Sequence, residues 1–168
     1  MFLSVFDMFK IGIGPSSSHT MGPMVAAKRF LQNLKNSPFN FSGIRVTLYG
    51  SLAFTGKGHS TDRAVILGLA GCSPENYEHE ASEKILEEIS NKKCLNSNDL
   101  GKLSFSPQTD LKFDYGAPLE GHPNGLIFMG LDDRGDVLLQ ETYYSIGGGF
   151  VLTADELAPV SYTHLTLP

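Results

Sequence analysis

Between Met24 and Leu34 apolar residues recur at helical spacing. In MVAAKRFLQNL, Met24, Ala27, Leu31 and Leu34 share one face, while Lys28, Asn33 and the following Lys35 lie elsewhere. The pattern predicts an amphipathic helix. Pro23 suits its first turn, where a missing N–H costs nothing, so the helix is expected to begin between Ser18 and Gly22. Upstream, Ser4 to Phe9 allows a single helical turn. GIRVTLYGS, rich in β-branched residues and bounded by glycines, predicts a strand. In LAFTGKGHSTDRAVILGLAGCSP, Gly56 and Gly58 break the chain, and Ser60 or Thr61 can cap a helix that ends near Gly71. NYEHEASEKILEEISNKK predicts a charged helix whose Glu80/Lys84 and Glu88/Lys92 pairs have the favourable i, i+4 order.

The second half reads as strands. KLSFSP and DLKFDY alternate or nearly alternate, and Pro107 limits how the first can pair. NGLIFMGLDDRGDVLLQETYYSIGGGF predicts a hairpin with its turn at Asp133 to Asp136. We find no internal repeat, low-complexity tract or interdomain linker. Helices early and a meander late predict an α+β fold, an α/β sandwich with helices packed on one face of a mainly antiparallel sheet.

Composition narrows the function classes. The chain has 168 residues, 41% hydrophobic and 18% charged, enough for one core. A net charge of −5 with no basic run argues against nucleic acid and against a membrane-surface helix. No segment approaches the roughly 20 apolar residues of a membrane span. The apolar start MFLSVFDMFK holds Asp7 and lacks an early basic region, so it does not read as a signal peptide, and a cytoplasmic protein is expected. Cys72 and Cys94 are not in a C-x-x-C arrangement and are expected to be buried or free thiols. The last residues, VSYTHLTLP from Val160 to Pro168, back-translate to the start of a transposon adapter used in sequencing libraries. The native domain is therefore expected over residues 1–159, with 160–168 translated adapter, and His164 is left out of any site.

Two loops carry candidate chemistry. KIGIGPSSSHTMGPM sets three serines, a histidine and a threonine just before the first helix. Helix N-termini offer free N–H groups and the positive end of the dipole, so such a loop suits a carboxylate or phosphate. The same residues also suit one cap and a set of turns, and spacing alone leaves both open. GSLAFTGKGHSTD looks like a phosphate loop but fails the pattern, since five residues separate Gly50 from Gly56 and Gly58 follows Lys57. What remains is His59, an imidazole before a helix that suits a general base, or a plain surface histidine. In GHPNG, Asn124 can donate to a substrate or serve its turn.

Together GIGPSSSHTMGPM, YGSLAFTGKGHSTDRAVILGLAG, EGHPNG and ETYYSIGGGF resemble, in this order and at these distances, the β domain of the bacterial iron-sulfur-dependent L-serine dehydratases. The resemblance covers nearly all of Met1 to Phe150. It implies conversion of L-serine to pyruvate and ammonia. Ser16, Ser17 and Ser18 with Thr20 would hold the substrate carboxylate, and His19 would help position it. His59 would remove the α-proton, with Thr61 and Asn124 as further contacts. The resemblance also implies a catalytic α domain, in the same chain or a separate subunit, that holds a four-iron, four-sulfur cluster as Lewis acid. This chain alone would bind no cofactor or metal and be inactive, and the full enzyme would be a homodimer. A competing expectation comes from similar allosteric substrate-binding domains of some phosphoglycerate dehydrogenases, which bind an anionic effector and catalyse nothing. Retention of both histidine motifs favours the enzyme, because an effector pocket needs donors and no base.

Overall fold

The helical stripe is buried along its length: Met24, Ala27 and Leu34 are fully covered and Leu31 nearly so. The computed structural model describes Gly14 and residues 16–163. The helical turn expected at Ser4 to Phe9, like His164, lies outside the described residues. Helices are α1 (Met21–Asn36), α2 (Ser51–Thr55), α3 (Thr61–Leu69), α4 (His79–Lys92) and α5 (Ala154–Thr163), with a one-turn 3-10 helix at Pro74–Asn76. Strands are β1 (Gly43–Leu48), β2 (Cys94–Ser97), β3 (Gly101–Ser104), β4 (Leu111–Phe113), β5 (Gly125–Leu131), β6 (Val137–Gly147) and β7 (Phe150–Thr153).

All seven strands form one sheet in the order β2-β3-β1-β5-β6-β7, with β4 also pairing β1. β1 lies antiparallel to β5, while β3 and β4 run parallel to opposite ends of its other edge. The remaining pairs are antiparallel. This is the α+β arrangement the sequence predicts. Register sets the core face: Val46 faces Phe128 and Leu48 faces Leu126 across β1 and β5, and Leu126 faces Tyr143 on β6. α1 packs on β5 and β6, and Val65, Ile66 and Leu69 of α3 join the same core. Phe30 of α1 stacks on Phe128, ring centroids 5.1 Å apart, and Tyr143 meets Phe128 edge to face at 5.6 Å. Each such ring gains about 1.5–3 kcal/mol from burial. β3 touches β1 only at Gly43 and Ser104, so its pairing has ended before Pro107.

Ser60 stands at the α3 cap position, but its hydroxyl makes no capping bond and its backbone is left-handed, φ 61°. Of the two expected pairs on α4, Glu88–Lys92 closes at 2.5 Å. Cys94 is buried and Cys72 half-buried, both as free thiols. Among the described residues no helix is long and apolar enough to cross a membrane.

α5 starts with a reciprocal cap that periodicity does not reveal. Thr153 N–H donates to the Glu156 carboxylate at 2.8 Å, and Glu156 N–H donates to Thr153 Oγ1 at 3.2 Å. Arg29 of α1 grips the same carboxylate through two nitrogens, at 3.1 and 2.5 Å. Chiefly through that Arg29 bond, the Glu156 carboxyl is held down at about 2. A folded-state pKa below the unfolded one adds stability that is complete above the ordinary value near 4.5 and fades as pH falls toward 2. Protection against hydrogen exchange at residues 154–158, relative to the unfolded chain at the same pH, is therefore expected to hold from neutral pH to about 5 and to fall below, with Glu156→Gln removing that dependence. Both side chains are partly exposed, so high salt should weaken the effect.

Candidate functional site

α1 and α3 lie side by side in the same direction. The Thr61 hydroxyl donates to the His19 carbonyl at 2.6 Å at one end, and Gly68 sits against Met24 and Ala27 further along. Both helix N-termini consequently open at the same place with their positive dipole ends, although Gly22 N–H is taken by the Ser17 carbonyl, Thr61 N–H by the Gly56 carbonyl and Arg63 N–H by Asp62 Oδ1. The serine loop precedes α1 and the His59 loop precedes α3, so the two motifs the sequence singles out meet there.

In the serine loop the hydroxyls do not cap α1. Its cap residue Thr20 makes no side-chain bond to the helix and instead donates Oγ1 to the Ser16 carbonyl at 2.6 Å. Ser16 and Ser18 turn toward each other, Oγ to Oγ 3.1 Å, and toward the His19 ring: Nδ1 lies 2.9 Å from Ser18 Oγ and 3.4 Å from Ser16 Oγ. The opposite nitrogen, Nε2, lies 3.0 Å from Ser51 Oγ at the start of α2. Burial, then the neighbouring His59, pushes the His19 pKa below its ordinary value, so the ring is neutral near pH 7.

The His59 ring stands edge-on to His19 with centroids 4.9 Å apart. Its Nδ1 is buried and has no hydrogen-bond partner among the described residues. The turn is fixed by His59 N–H donating to the Thr55 carbonyl at 3.1 Å and Thr61 N–H to the Gly56 carbonyl at 2.9 Å. Gly14 allows the serine loop to cross it, since a Cβ there would lie 2.5 Å from the His59 carbonyl oxygen.

Asn124 belongs to the scaffold of this cluster. Its side-chain N–H donates to the Ser145 carbonyl at 3.1 Å, and Ser145 N–H donates back to the Asn124 carbonyl at 3.0 Å. Fully buried Ser145 donates Oγ to the Ser18 carbonyl at 2.7 Å. Next along, Gly148 N–H donates to Ser17 Oγ at 3.2 Å. Ser16, Ser17, Ser18, Thr20, His19, His59, Thr61 and Asn124 are thus joined through contacts or a single intermediary. The hydroxyls of Thr20 and Thr61 and the Asn124 amide are engaged on backbone carbonyls, which leaves the serine hydroxyls and the two imidazoles as the reactive groups. His122 is bound into its turn, with Nδ1 accepting Asn124 N–H at 3.1 Å. Sequence reading passes over Ser51 and Ser145, although each lies inside a quoted motif.

Comparison with known proteins gives the family. The family model described as serine dehydratase beta chain matches residues 4–156. An L-serine dehydratase from Helicobacter pylori is 44% identical over 158 residues, covering 94% of this chain and 34% of its own length. One from Streptomyces coelicolor is 42% identical over 157 residues, covering 92% and 34%. L-serine dehydratase 1 of Escherichia coli is 36% identical over 170 residues, covering 99% and 37%. The chain therefore spans about a third of the length of the curated relatives it matches.

Proposed function

Since the chain belongs to the serine dehydratase beta chain family, we propose that it is the β domain of an L-serine dehydratase and supplies the substrate-holding and proton-abstracting half of the site. The observation that carries this reading is the His19–His59 pair, rings 4.9 Å apart, with His19 joined at 2.9 Å to the serine loop at the mouth of two helix N-termini. The loop at Ser16 to Ser18 holds the carboxylate of L-serine through hydroxyl and N–H donors, placing the α-carbon toward His59. His59 takes the α-proton, the C–H electron pair forms the Cα–Cβ double bond, and the β-hydroxyl leaves with the C–O pair. Aminoacrylate tautomerises to an imine, and water converts that to pyruvate and ammonia.

The iron-sulfur cluster implied by the family does not fit the residues described. Among them no group of three or more His, Cys, Asp or Glu stands where it could hold a metal ion. Its ligands would belong to the α domain. The surface around the site is consistent with a covering partner. Of the large apolar residues left exposed, Phe54 and Tyr115 pack together at 5.4 Å beside α2, while Ile146 and Phe150 flank the glycine turn that meets Ser17.

Titrating the isotope-labelled chain separately with L-serine and with phosphorylated hydroxy acids tests the reading. L-serine is expected to shift the amides of residues 16–20 and 59–61 and to give no pyruvate without the α domain. Response to phosphorylated acids with none to L-serine would mark an effector-binding domain instead, and pyruvate from the chain alone would contradict the division of labour.

A further inference from the structure

The run Ser18 Oγ, His19 Nδ1, His19 Nε2, Ser51 Oγ is a relay of two side-chain hydrogen bonds, at 2.9 and 3.0 Å, whose direction depends on the tautomer of the ring. A neutral imidazole has one N–H, so one ring nitrogen donates and the other accepts. If Nε2–H donates to Ser51, then Nδ1 takes a proton from the serine loop, and the spare hydroxyl proton of the relay sits on Ser51. If Ser51 O–H donates to Nε2, then Nδ1–H donates to Ser18 Oγ, and the spare proton sits in the serine loop. The two directions use the same number of side-chain bonds. The Ser51 backbone, whose hydrogen bond acts against the lowering of the His19 pKa, offers a further acceptor to the Nε2–H form, while the other direction gives the serine loop an outward donor.

We infer that Ser51 is a positioning residue for substrate binding: its hydroxyl donates to His19 Nε2, fixes the Nδ1–H tautomer, and so leaves Ser18 free to turn its proton toward an anion. The choice of direction rests on the carboxylate reading above, because an acceptor ligand at the serine loop needs a donor there and none at Ser51. Three features make Ser51 suited to the task. Its backbone is anchored at both groups, with N–H donating to the Pro123 carbonyl at 2.9 Å and its carbonyl accepting Thr55 Oγ1 at 2.7 Å, so the hydroxyl is held in place. The Ser18 carbonyl is clamped by Ser145 at 2.7 Å, so the loop end of the relay does not drift. The lowered pKa of His19 keeps the ring in the neutral form, in which tautomers differ. Ser51 touches no reacting atom in this scheme and acts wholly through His19.

Long-range proton–nitrogen correlation spectra of the labelled chain read the tautomer directly. Above neutral pH the wild type is expected to show a protonated Nδ1 and a bare Nε2 at His19. Ser51→Ala should bring in the Nε2–H form, and Ser51→Thr, which keeps a hydroxyl, should restore the original pattern. In the complete enzyme, Ser51→Ala should raise KM for L-serine about tenfold with kcat within about threefold, as expected for one lost hydrogen bond to the ground state. A wild-type ring protonated at Nε2 overturns the inference, as does a natively folded Ser51→Ala chain with an unchanged ring. Should Nδ1–H be found in a chain that ignores L-serine, the relay stands and the carboxylate reading falls.

Discussion

His59→Asn in the complete enzyme is expected to cut kcat by about 10²–10⁴-fold, the range a positioned general base contributes, while KM for L-serine moves only a few-fold. Asparagine approximates the polar outline of the ring but has no nitrogen that can take a proton near neutral pH. Stability should change little, since the buried Nδ1 of His59 makes no hydrogen bond with the described residues whose loss would cost free energy. His19→Asn should behave differently. Both its ring nitrogens are engaged, at 2.9 Å by Ser18 and 3.0 Å by Ser51, so KM should rise along with any loss of kcat. Pyruvate formation across a range of L-serine concentrations measures both quantities. Near-normal turnover in the His59 variant would remove it as the base, and His19, whose ring lies 4.9 Å from that of His59, would be the next candidate.

Much of this arrangement is legible in the sequence, for reasons that differ by element. The α1 stripe works because Met24, Ala27, Leu31 and Leu34 repeat over three turns and all end buried. β1, α3, α4 and the β5–β6 hairpin carry equally strong periodicity or turn signals. α2 has five residues, too few to show a period, and β2 is the four-residue CLNS attached to a long charged helix. β7 hides behind Gly147, Gly148 and Gly149, all at positive φ, which reads as the end of a strand and is a turn into the next one. α5 had a legible start in Thr153-x-x-Glu156, a capping box without the apolar run that would make it stand out.

The site divides along the same line. A dense local motif such as SSSH announces itself, and a histidine among glycines draws notice. Ser51 and Ser145 do not, because each gains meaning from a contact across the fold: Ser51 with His19, 32 positions away, and Ser145 with Ser18, 127 positions away. The alternative that one serine caps α1, which spacing leaves open, fails for a related reason. His19 offers the hydroxyls a ring nitrogen that competes with the helix N–H groups, and Thr20 is drawn back to the Ser16 carbonyl.

The close approach of α1 and α3 gives the second large expected effect. A Cβ on Gly68 would lie 2.4 Å from the Met24 carbonyl oxygen and 2.7 Å from Ala27 Cβ. Backbone cannot swing aside as a side chain can, so Gly68→Ala must push the two helices apart. Overpacking of this kind costs about 3 kcal/mol at the upper end of its usual range. Alanine returns about 1 kcal/mol through its better helix propensity, leaving a net loss of about 2 kcal/mol. For a domain of this size that corresponds to a fall in Tm of about 4–8 °C. Adding Ala27→Gly removes the 2.7 Å contact but leaves the 2.4 Å one, so the double variant should recover less than half of the loss. The effect should also reach the chemistry. His19 and His59 stand at the N-terminal ends of these two helices, and any widening of the pair lengthens the 4.9 Å between their rings. In the complete enzyme, Gly68→Ala should lower kcat well below the melting transition, although Gly68 lies two helical turns beyond Thr61. An unchanged or raised Tm would show that the helix pair has slack there. A lowered Tm with full kcat would separate the packing of α1 on α3 from the spacing of the histidines.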